Sequence, residues 1–153
     1  FVSVIQMRPD QKKYHSTIEW VAFASNAFNV LAPFYADVEE TPDYLSNTMA
    51  EVSTDNLYWC SRMIAAMADA SYRTSIFHIE RYQENVMAKG HALINEYDEL
   101  LEQEQDPAKQ MKLKAEANQK IAEMLKKETA STLNKVLYEL SNQMKNAYSR
   151  SDA

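Results

Sequence analysis

A single glycine, Gly90, occurs in the 153 residues of this sequence. Globular proteins average roughly 7% glycine, so the chain cannot form glycine-rich phosphate-binding loops or the many tight turns of a mostly β protein.

The first 35 residues differ in kind from the rest and predict β-strands. Residues 1–7 are rich in β-branched and apolar side chains and stop at the turn signal around Pro9. Residues 17–24 alternate in polarity, and one face of this second strand carries Ile18, Trp20 and Ala22. Two strands are therefore predicted, separated by a polar turn.

A third strand is predicted over residues 28–32, ended by Pro33 because proline is tolerated best at a strand edge or end. Three strands with apolar residues on both faces would leave one face exposed to water. We therefore expect them to belong to a larger sheet, whose remaining strands and covering layer lie elsewhere.

Helical spacing of apolar residues begins near residue 54. The first helix is predicted to start from an N-cap at Thr54 or Asp55 and to break within residues 71–75. A second helix is predicted from about Phe77 to about Gln103. Its apolar stripe advances in steps of three or four residues through Ile79, Tyr82, Val86, Gly90, Leu93, Tyr97 and Leu100. Gly90 on that stripe permits close approach of a neighbouring helix, at a cost of about 1 kcal/mol in helix propensity.

A third helix is predicted from an N-cap at Asp106, with Pro107 in the first helical position, to about Tyr148. Its inward residues are Ile121, Leu125, Leu133, Val136, Leu137, Leu140 and Met144. The short turn at Asp106 makes the last two helices an antiparallel hairpin.

These elements predict an α+β protein in a single unit, residues 1–153. Residues 1–35 supply strands, residues 33–54 are irregular, and residues 54–148 form a helical layer with a long C-terminal hairpin. The sequence begins at Phe1 inside an apolar run with no initiator methionine, which indicates a fragment of a longer protein.

Charge and cysteine content exclude several classes of function. The formal net charge of −6 offers no broad basic face, so a nucleic-acid partner is disfavoured. No apolar stretch approaches the roughly 20 residues of a membrane span, so no membrane partner is expected. The single cysteine excludes a disulfide framework and a cysteine-based zinc cluster, and it fits a reducing, cytoplasmic location.

The titratable residues form no recognisable catalytic or metal site. The three histidines, His15, His78 and His91, lack a metal-ligand spacing, and the last two are about 20 Å apart along a helix. We interpret them as solvated or boundary residues. Cys60 lies inside a predicted helix without an activating neighbour, so we interpret it as a small core residue and not as a nucleophile. No cofactor is expected.

Three further groups are interpreted as structural. The acidic clusters at residues 96–99 and 102–104 are predicted to be solvated, facing Lys109, Lys112 and Lys114 across the turn. The aromatic residues are predicted to pack in the core: Trp20, Phe23, Phe28, Phe34, Tyr35, Tyr58 and Trp59. Asn26 and Asn29 are predicted to serve a turn. Whether Asn26 or Tyr35 reaches an active site when more protein is present stays open.

Several short runs in order resemble the N-terminal-nucleophile cysteine dipeptidases, the bacterial dipeptidase A family, which are distant relatives of penicillin V acylase and bile salt hydrolase. The runs are residues 4–10 (VIQMRPD), 18–23 (IEWVAF), 33–36 (PFYA), 58–70 (YWCSRMIAAMADA) and 78–80 (HIE), with Ala27, Phe28 and Val30 between the second and third. The resemblance covers most of the chain to about residue 100. The matching runs resemble the C-terminal third of such enzymes.

The resemblance implies an αββα sandwich in the complete enzyme, to which this piece adds strands and a helical layer. It also implies hydrolysis of dipeptides by a cysteine at the mature N-terminus, whose own α-amine acts as base and whose thiolate forms an acyl-enzyme. Residue 1 here is Phe and Cys60 is internal, so no catalytic, cofactor-binding or metal-binding residue is assigned in this chain.

Three interpretations follow from the sequence. The first is the C-terminal portion of a broad-specificity dipeptidase, inactive alone, whose partners are dipeptide substrates and the missing N-terminal catalytic portion. The second is a stand-alone helical module that binds a partner protein through its acidic hairpin. The third is a structural subunit paired with a separately made N-terminal piece. Homo-oligomerisation, dipeptide preference and the reason for the start at Phe1 stay open.

Overall fold

The sheet and the helices follow one another in the chain, as an α+β protein requires. The computed structural model describes residues 1–9, 17–24 and 27–144. Its elements are β1 (Val2–Met7), β2 (Thr17–Ala22), β3 (Ala32–Tyr35), α1 (Asp43–Ser46), α2 (Leu57–Ala70), α3 (Tyr72–Gln103) and α4 (Pro107–Asn142). The predicted fold class is confirmed.

The three strands form an antiparallel sheet in the order β1-β2-β3. Val4 lies opposite Trp20, and Trp20 lies opposite Pro33. The first two strands are confirmed, whereas the third was predicted at residues 28–32 and is found at Ala32–Tyr35. Pro33 therefore lies inside a strand. A proline is tolerated there because β3 pairs on one side only among the described strands, so the missing N–H breaks no ladder on the other side.

The helix starts differ from the predicted ones for local reasons. The segment predicted as irregular contains the end of β3 and the short helix α1. Helix α2 begins after Asn56, whose side-chain oxygen accepts a hydrogen bond from the Trp59 amide at 2.9 Å, and not after Thr54 or Asp55.

The break after α2 is confirmed but is only one residue wide. Ser71 donates its amide to the Met67 carbonyl and accepts from the Ser75 amide, so backbone hydrogen bonding continues through the bend. Helix α3 consequently begins at Tyr72, five residues before the predicted Phe77.

The predicted apolar stripe of α3 is correct in its first half and shifted in its second. Ile79, Tyr82, Val86, Gly90 and Tyr97 are buried as predicted. Leu93 is only partly buried and Leu100 is 41% exposed, while Ile94 and Leu101 are buried in their place. An α-helix has about 3.6 residues per turn. A stripe drawn in steps of three and four residues departs from this repeat, so along a helix of 32 residues the buried positions move away from the predicted ones.

Helix α4 keeps part of its predicted face. Ile121, Leu125 and Val136 are buried, and Leu133 and Leu140 are partly buried. Leu137 and Met144 are exposed, contrary to the prediction. The last turns of α4 still contact the start of α3 through Glu139 and Gln143, so Leu137 is exposed because it lies on the face turned away from α3, and Met144 lies beyond the end of the helix. The helix ends at Asn142 instead of about Tyr148, and residues 145–153 lie outside the described residues.

The predicted antiparallel hairpin of α3 and α4 is confirmed. Tyr82 contacts Thr129 at 2.7 Å and Tyr97 contacts Glu116 at 2.8 Å, so positions that advance along one helix retreat along the other. Asp106 is the N-cap, accepting from the Ala108 amide at 2.9 Å, and Pro107 is the first helical residue, both as predicted.

Gly90 allows close contact, but with the sheet and not with a helix. A Cβ built at Gly90 would lie 2.7 Å from Cδ and 2.9 Å from Cγ of Pro33 in β3. The prediction of close approach is right and its partner was wrong, because the sequence does not show which element faces this turn of α3.

Asn118 of α4 ties the hairpin to the sheet. Its side-chain oxygen accepts from the Tyr35 amide at 2.9 Å, and its side-chain nitrogen donates to the Tyr35 carbonyl at 3.0 Å. Both groups of one β3 residue are thus satisfied by one buried amide side chain. The contact fixes the position of α4 against β3.

We expect Asn118→Leu to lower the free energy of unfolding by about 1.5 kcal/mol, because it leaves two buried backbone groups of Tyr35 without their partner. Urea denaturation monitored by circular dichroism measures the change. Gln119→Leu, at an exposed neighbouring position, is the matched control and should change stability by less than about 0.5 kcal/mol. Equal effects of the two substitutions would contradict the role given to Asn118.

Candidate functional site

Cys60 is a core residue, as the sequence predicts. Its side chain is buried on α2, and its sulfur donates to the Thr54 carbonyl at 3.3 Å. Burial raises the pKa of the thiol, and Asp55 raises it further, against the opposing effects of Tyr44 and Lys126. A nucleophilic cysteine needs a lowered pKa and access to substrate. Cys60 has neither property.

The histidines do not come together. The His78 ring lies 3.4 Å from the Glu139 carboxylate, and the His91 ring packs against Trp20 with 4.9 Å between ring centroids. Both positions agree with the boundary role predicted for them. His15 lies outside the described residues. Within residues 1–9, 17–24 and 27–144, no group of three His, Cys, Asp or Glu side chains is arranged to hold a metal ion.

Asp98 is not solvated, so the prediction for the first acidic cluster was wrong at this position. Its carboxylate accepts two hydrogen bonds from the Arg8 guanidinium, at 2.5 and 3.0 Å, and one from the Tyr35 hydroxyl at 2.8 Å. Glu96 and Glu99 are exposed as predicted. The neighbours of Asp98 lie 63 and 90 residues away in sequence, which is why local pattern did not reveal them.

The three side chains join β3 and α3 to the residue that directly follows β1. Tyr35 is fully buried, and desolvation raises the pKa of its hydroxyl well above the usual range, with the hydrogen bond to Asp98 adding to the shift. The hydroxyl therefore stays protonated and donates to Asp98. We interpret this cluster as structural, because both carboxylate oxygens of Asp98 already accept hydrogen bonds from the Arg8 guanidinium.

The second acidic cluster also departs from the prediction in part. Glu104 accepts from the amides of Gln105 and Asp106 at 2.9 and 3.0 Å and so caps the turn. Of the lysines across the turn, Lys114 is 2% exposed and pairs with Asp37 at 2.5 Å. Lys109 and Lys112 are exposed.

The aromatic residues divide into two sets. Trp20, Phe34 and Tyr35 are buried, as predicted for core residues. Phe23, Phe28, Tyr58 and Trp59 are only partly buried, so core packing is a complete account of the first set alone. Asn29 is buried in a turn, where its carbonyl accepts from the Gln83 side chain at 3.0 Å, in agreement with its predicted turn role. Asn26 lies outside the described residues.

Three of the partly buried rings, Phe23, Phe28 and Tyr58, border an open groove of about 680 Å³, here called the aromatic groove. Its walls are the rings of Phe1, Phe23, Phe28 and Tyr58, and it also contacts Arg62 and Asp69 of α2. Phe1 and Phe23 pack against each other at 5.4 Å between centroids. On their other side, the same two rings line a smaller cavity of about 250 Å³ that includes Glu19.

The aromatic groove combines an apolar surface with one positive and one negative side chain. The Arg62 guanidinium lies over the rings of Tyr58 and Trp59, at 5.8 and 5.9 Å from their centroids. Ala24, at the rim, has a positive φ of 58°. The described part of the groove contains no thiol, histidine or hydroxyl paired with a base.

Comparison with known proteins now identifies the family. Residues 1–85, more than half of the chain, match the model of peptidase family C69. The chain belongs to this family.

Three relatives extend the similarity along the chain. It is 38% identical to the probable dipeptidase A of Streptococcus pyogenes serotype M18, over 98% of this chain and 31% of that protein. It is 34% identical to the dipeptidase of Bifidobacterium longum, over 99% of this chain and 35% of that protein. It is 26% identical to dipeptidase A of Lactobacillus helveticus, over 89% of this chain and 28% of that protein. The chain thus spans about a third of the length of these relatives. The resemblance to the dipeptidase A family is confirmed.

No helix among the described residues is long and apolar enough to cross a membrane.

Proposed function

We propose that this chain is the C-terminal portion of a dipeptidase that hydrolyses the amide bond of dipeptides. The 38% identity to a probable dipeptidase A over 98% of the chain carries the proposal. The chain corresponds to only 31% of that relative, so the proposal concerns a longer protein of which these residues are one part.

The proposed mechanism uses a cysteine nucleophile that lies outside this chain. The α-amine of a cysteine at the mature N-terminus takes the thiol proton, and the thiolate attacks the scissile carbonyl. The C–N bond then breaks, the second amino acid leaves as an amine that receives this proton, and water hydrolyses the thioester to release the first amino acid and regenerate the thiol. Cys60 does not fit this role, because it is internal, buried and held protonated by its surroundings. The family resemblance supports the N-terminal cysteine.

The exposed side chains of β1 support a role for this chain as part of a larger sandwich. Val4, Ile5 and Met7 are 49, 56 and 79% exposed, and Phe1 before them is 72% exposed. Successive side chains of a strand point to opposite faces, so Val4 is exposed on one face of β1 and Ile5 and Met7 on the other. Exposed apolar side chains on both faces favour coverage by further protein. A stand-alone helical module does not require a strand with exposed apolar side chains. This observation therefore favours the dipeptidase over the interaction module.

The proposal also includes a cytoplasmic location. Cys60 is free and buried, and a single unpaired thiol is compatible with a reducing compartment.

A chimera tests the proposal. In the Streptococcus pyogenes relative, the region aligned with this chain is replaced by residues 1–153, and hydrolysis of leucyl-leucine is measured by release of free leucine. We expect activity within about tenfold of the parent protein, because the fold around the catalytic portion is retained. We expect no turnover from the 153-residue chain alone. A chimera that folds but hydrolyses no dipeptide would show that this chain does not serve a dipeptidase.

Cysteine substitutions locate the nucleophile. Replacement of the chimera's cysteine at the mature N-terminus should abolish hydrolysis, whereas Cys60→Ala should leave the rate within about twofold, since a buried thiol with a raised pKa takes no part in the chemistry. Turnover by the isolated chain that is lost in Cys60→Ala would place the nucleophile in this chain and contradict the mechanism.

A further inference from the structure

The segment that leads from β3 to the N-cap of α2 contains one buried side chain. This segment, residues 36–55 and here called the strap, includes the short helix α1, and Tyr44 of that helix is 7% exposed. Every other side chain of the strap is exposed or only partly buried. Segments with few buried apolar contacts open at a lower free energy than the core. Tyr44 is therefore the main apolar attachment of the strap to the rest of the protein.

The hydroxyl of Tyr44 weakens this attachment. It is buried, and no described residue forms a hydrogen bond with it. Desolvation raises the pKa of the hydroxyl well above its usual range, and Cys60 and Thr129 lie close enough to influence that pKa without reaching hydrogen-bond geometry. A buried polar group without a hydrogen bond carries a desolvation cost. The ring of Tyr44 thus favours the attached strap, and its hydroxyl opposes it.

The polar attachments of the strap are few. At its start, Asp37 pairs with Lys114 of α4. Further along, the Trp59 indole N–H donates to the Met49 carbonyl at 2.8 Å. The ion pair at the end of the strap joins two exposed side chains and therefore adds little stability. None of these contacts is part of the packing between α3, α4 and the sheet, so they can break while that packing is retained.

Cys60 lies beneath the strap. Its thiol donates to the Thr54 carbonyl at 3.3 Å, the Tyr44 hydroxyl is a neighbour on the same side, and the cysteine is 2% exposed. Burial is the first cause of the raised pKa of this thiol. Removal of the strap would therefore uncover the sulfur and at the same time lower the pKa of the thiol toward its ordinary value.

We propose that the strap detaches while the sheet and helices α2, α3 and α4 stay folded, and that a disulfide reagent then modifies Cys60 and holds the strap detached. In the modification, the Cys60 thiolate attacks one sulfur of the reagent, a new S–S bond forms, and the other sulfur leaves as a thiolate. The added group occupies the space that Tyr44 and Thr54 fill in the attached state. A free thiol reverses the reaction, so the strap and Cys60 form a reversible, thiol-sensitive switch.

Detachment is measured by the reaction of the 153-residue chain with 5,5′-dithiobis(2-nitrobenzoate), since Cys60 is its single cysteine and each reaction releases one coloured thiolate. We expect the rate in native buffer to be about a hundred- to ten-thousandfold below the rate of the urea-unfolded chain. Low concentrations of urea should change this rate little, because detachment exposes far less surface than global unfolding does. Global unfolding is followed in parallel by circular dichroism.

Three variants connect the rate to the contacts of the strap. Tyr44→Phe keeps the ring and removes the unpartnered hydroxyl, so the reaction should slow by about fivefold or more. Trp59→Phe removes the donor to the Met49 carbonyl, so the reaction should become about fivefold faster. Tyr138→Phe, at a 64% exposed position of α4, is the matched control and should leave the rate unchanged. Circular dichroism confirms that each variant is folded.

Limited digestion with chymotrypsin, which cleaves after aromatic residues, tests whether the modified sulfur holds the strap detached. Mass spectrometry measures cleavage after Tyr44. We expect it to be about tenfold faster or more in the modified chain, with the helical circular dichroism retained, and to return to the original rate after dithiothreitol removes the group from Cys60. In unmodified Tyr44→Phe, cleavage after residue 44 should slow by the same factor as the thiol reaction, because one opening event controls both.

Four results would overturn the inference. A thiol reaction whose rate depends on urea as steeply as global unfolding would show that the strap does not open separately. An unchanged rate in both Tyr44→Phe and Trp59→Phe would show that these contacts do not control access to Cys60. Unchanged cleavage after Tyr44 in the modified chain would show that the added group fits beneath the attached strap. Loss of the helical signal on modification would show that Cys60 supports the whole fold and not the strap alone.

Discussion

Asp98→Ala is expected to lower the free energy of unfolding by about 3 kcal/mol, since breaking a largely buried ion pair leaves the opposite charge without compensation. The substitution removes the carboxylate that accepts from both the Arg8 guanidinium and the Tyr35 hydroxyl. It thereby loosens the attachment of β1 and β3 to α3 at one point. Urea denaturation of the chain, monitored by circular dichroism, measures the change.

Glu99→Ala is the matched control, because Glu99 is the next residue of α3 and is exposed. It should change stability by less than about 0.5 kcal/mol. In an Arg8→Met background the cost of Asp98→Ala should fall by at least about 1 kcal/mol, since the two residues interact directly. Similar losses at Asp98 and Glu99, or additive effects of the Arg8 and Asp98 substitutions, would show that the cluster does not stabilise the fold.

Gly90→Ala is expected to destabilise the protein by about 2 kcal/mol, although alanine is the better helix former by about 1 kcal/mol. The added methyl group would lie 2.7 Å from Cδ of Pro33. Relief requires α3 to move away from β3, because the proline ring is rigid and lies in the sheet. Thermal and urea denaturation of the variant measure the net change.

Two variants separate the steric effect from helix propensity. Asn85→Ala, on an exposed position of the same helix, should be neutral or slightly stabilising. In a Pro33→Ala background, where the ring atoms are gone, Gly90→Ala should no longer destabilise. Persistence of the full cost in that background would mean that Pro33 is not the obstacle.

Local signals accounted for the elements whose limits depend on adjacent residues. The helix start at Asp106–Pro107 and the break near Ser71 are determined by a few adjacent residues, since caps and first-turn prolines act over one turn. The first two strands and the burial of Cys60 followed from side-chain pattern in the same way. The family was recognisable because several short runs occur in order.

Contacts between distant residues could not be predicted. Asp98, Lys114 and Asn118 are polar residues on helices whose partners Arg8, Asp37 and Tyr35 lie 77 to 90 residues away. From the sequence such residues are expected to be solvated, because burial of a charge is favourable only once its partner is in place. The third strand was misplaced since the proline at residue 33 suggested an end, whereas an edge strand accepts it.

The sequence predicted only part of the candidate groove. The aromatic residues were recognised, but their separation into core and groove depends on tertiary contacts that bring Phe23, Phe28 and Tyr58 to one surface. Arg62 and Asp69 carried no signal, since a single charge on an exposed helical face is ordinary.

The amide side chain of Asn118 restricts the edge at which the sheet can accept an additional strand. By occupying the N–H and C=O of Tyr35 on the outer side of β3, it leaves that side no hydrogen-bonding groups at Tyr35 for an additional strand. At the other margin, β1 pairs with β2 alone within the described residues, and its apolar side chains face outward. Any strand that joins this sheet, from a longer polypeptide or from another molecule at high concentration, is therefore directed to β1.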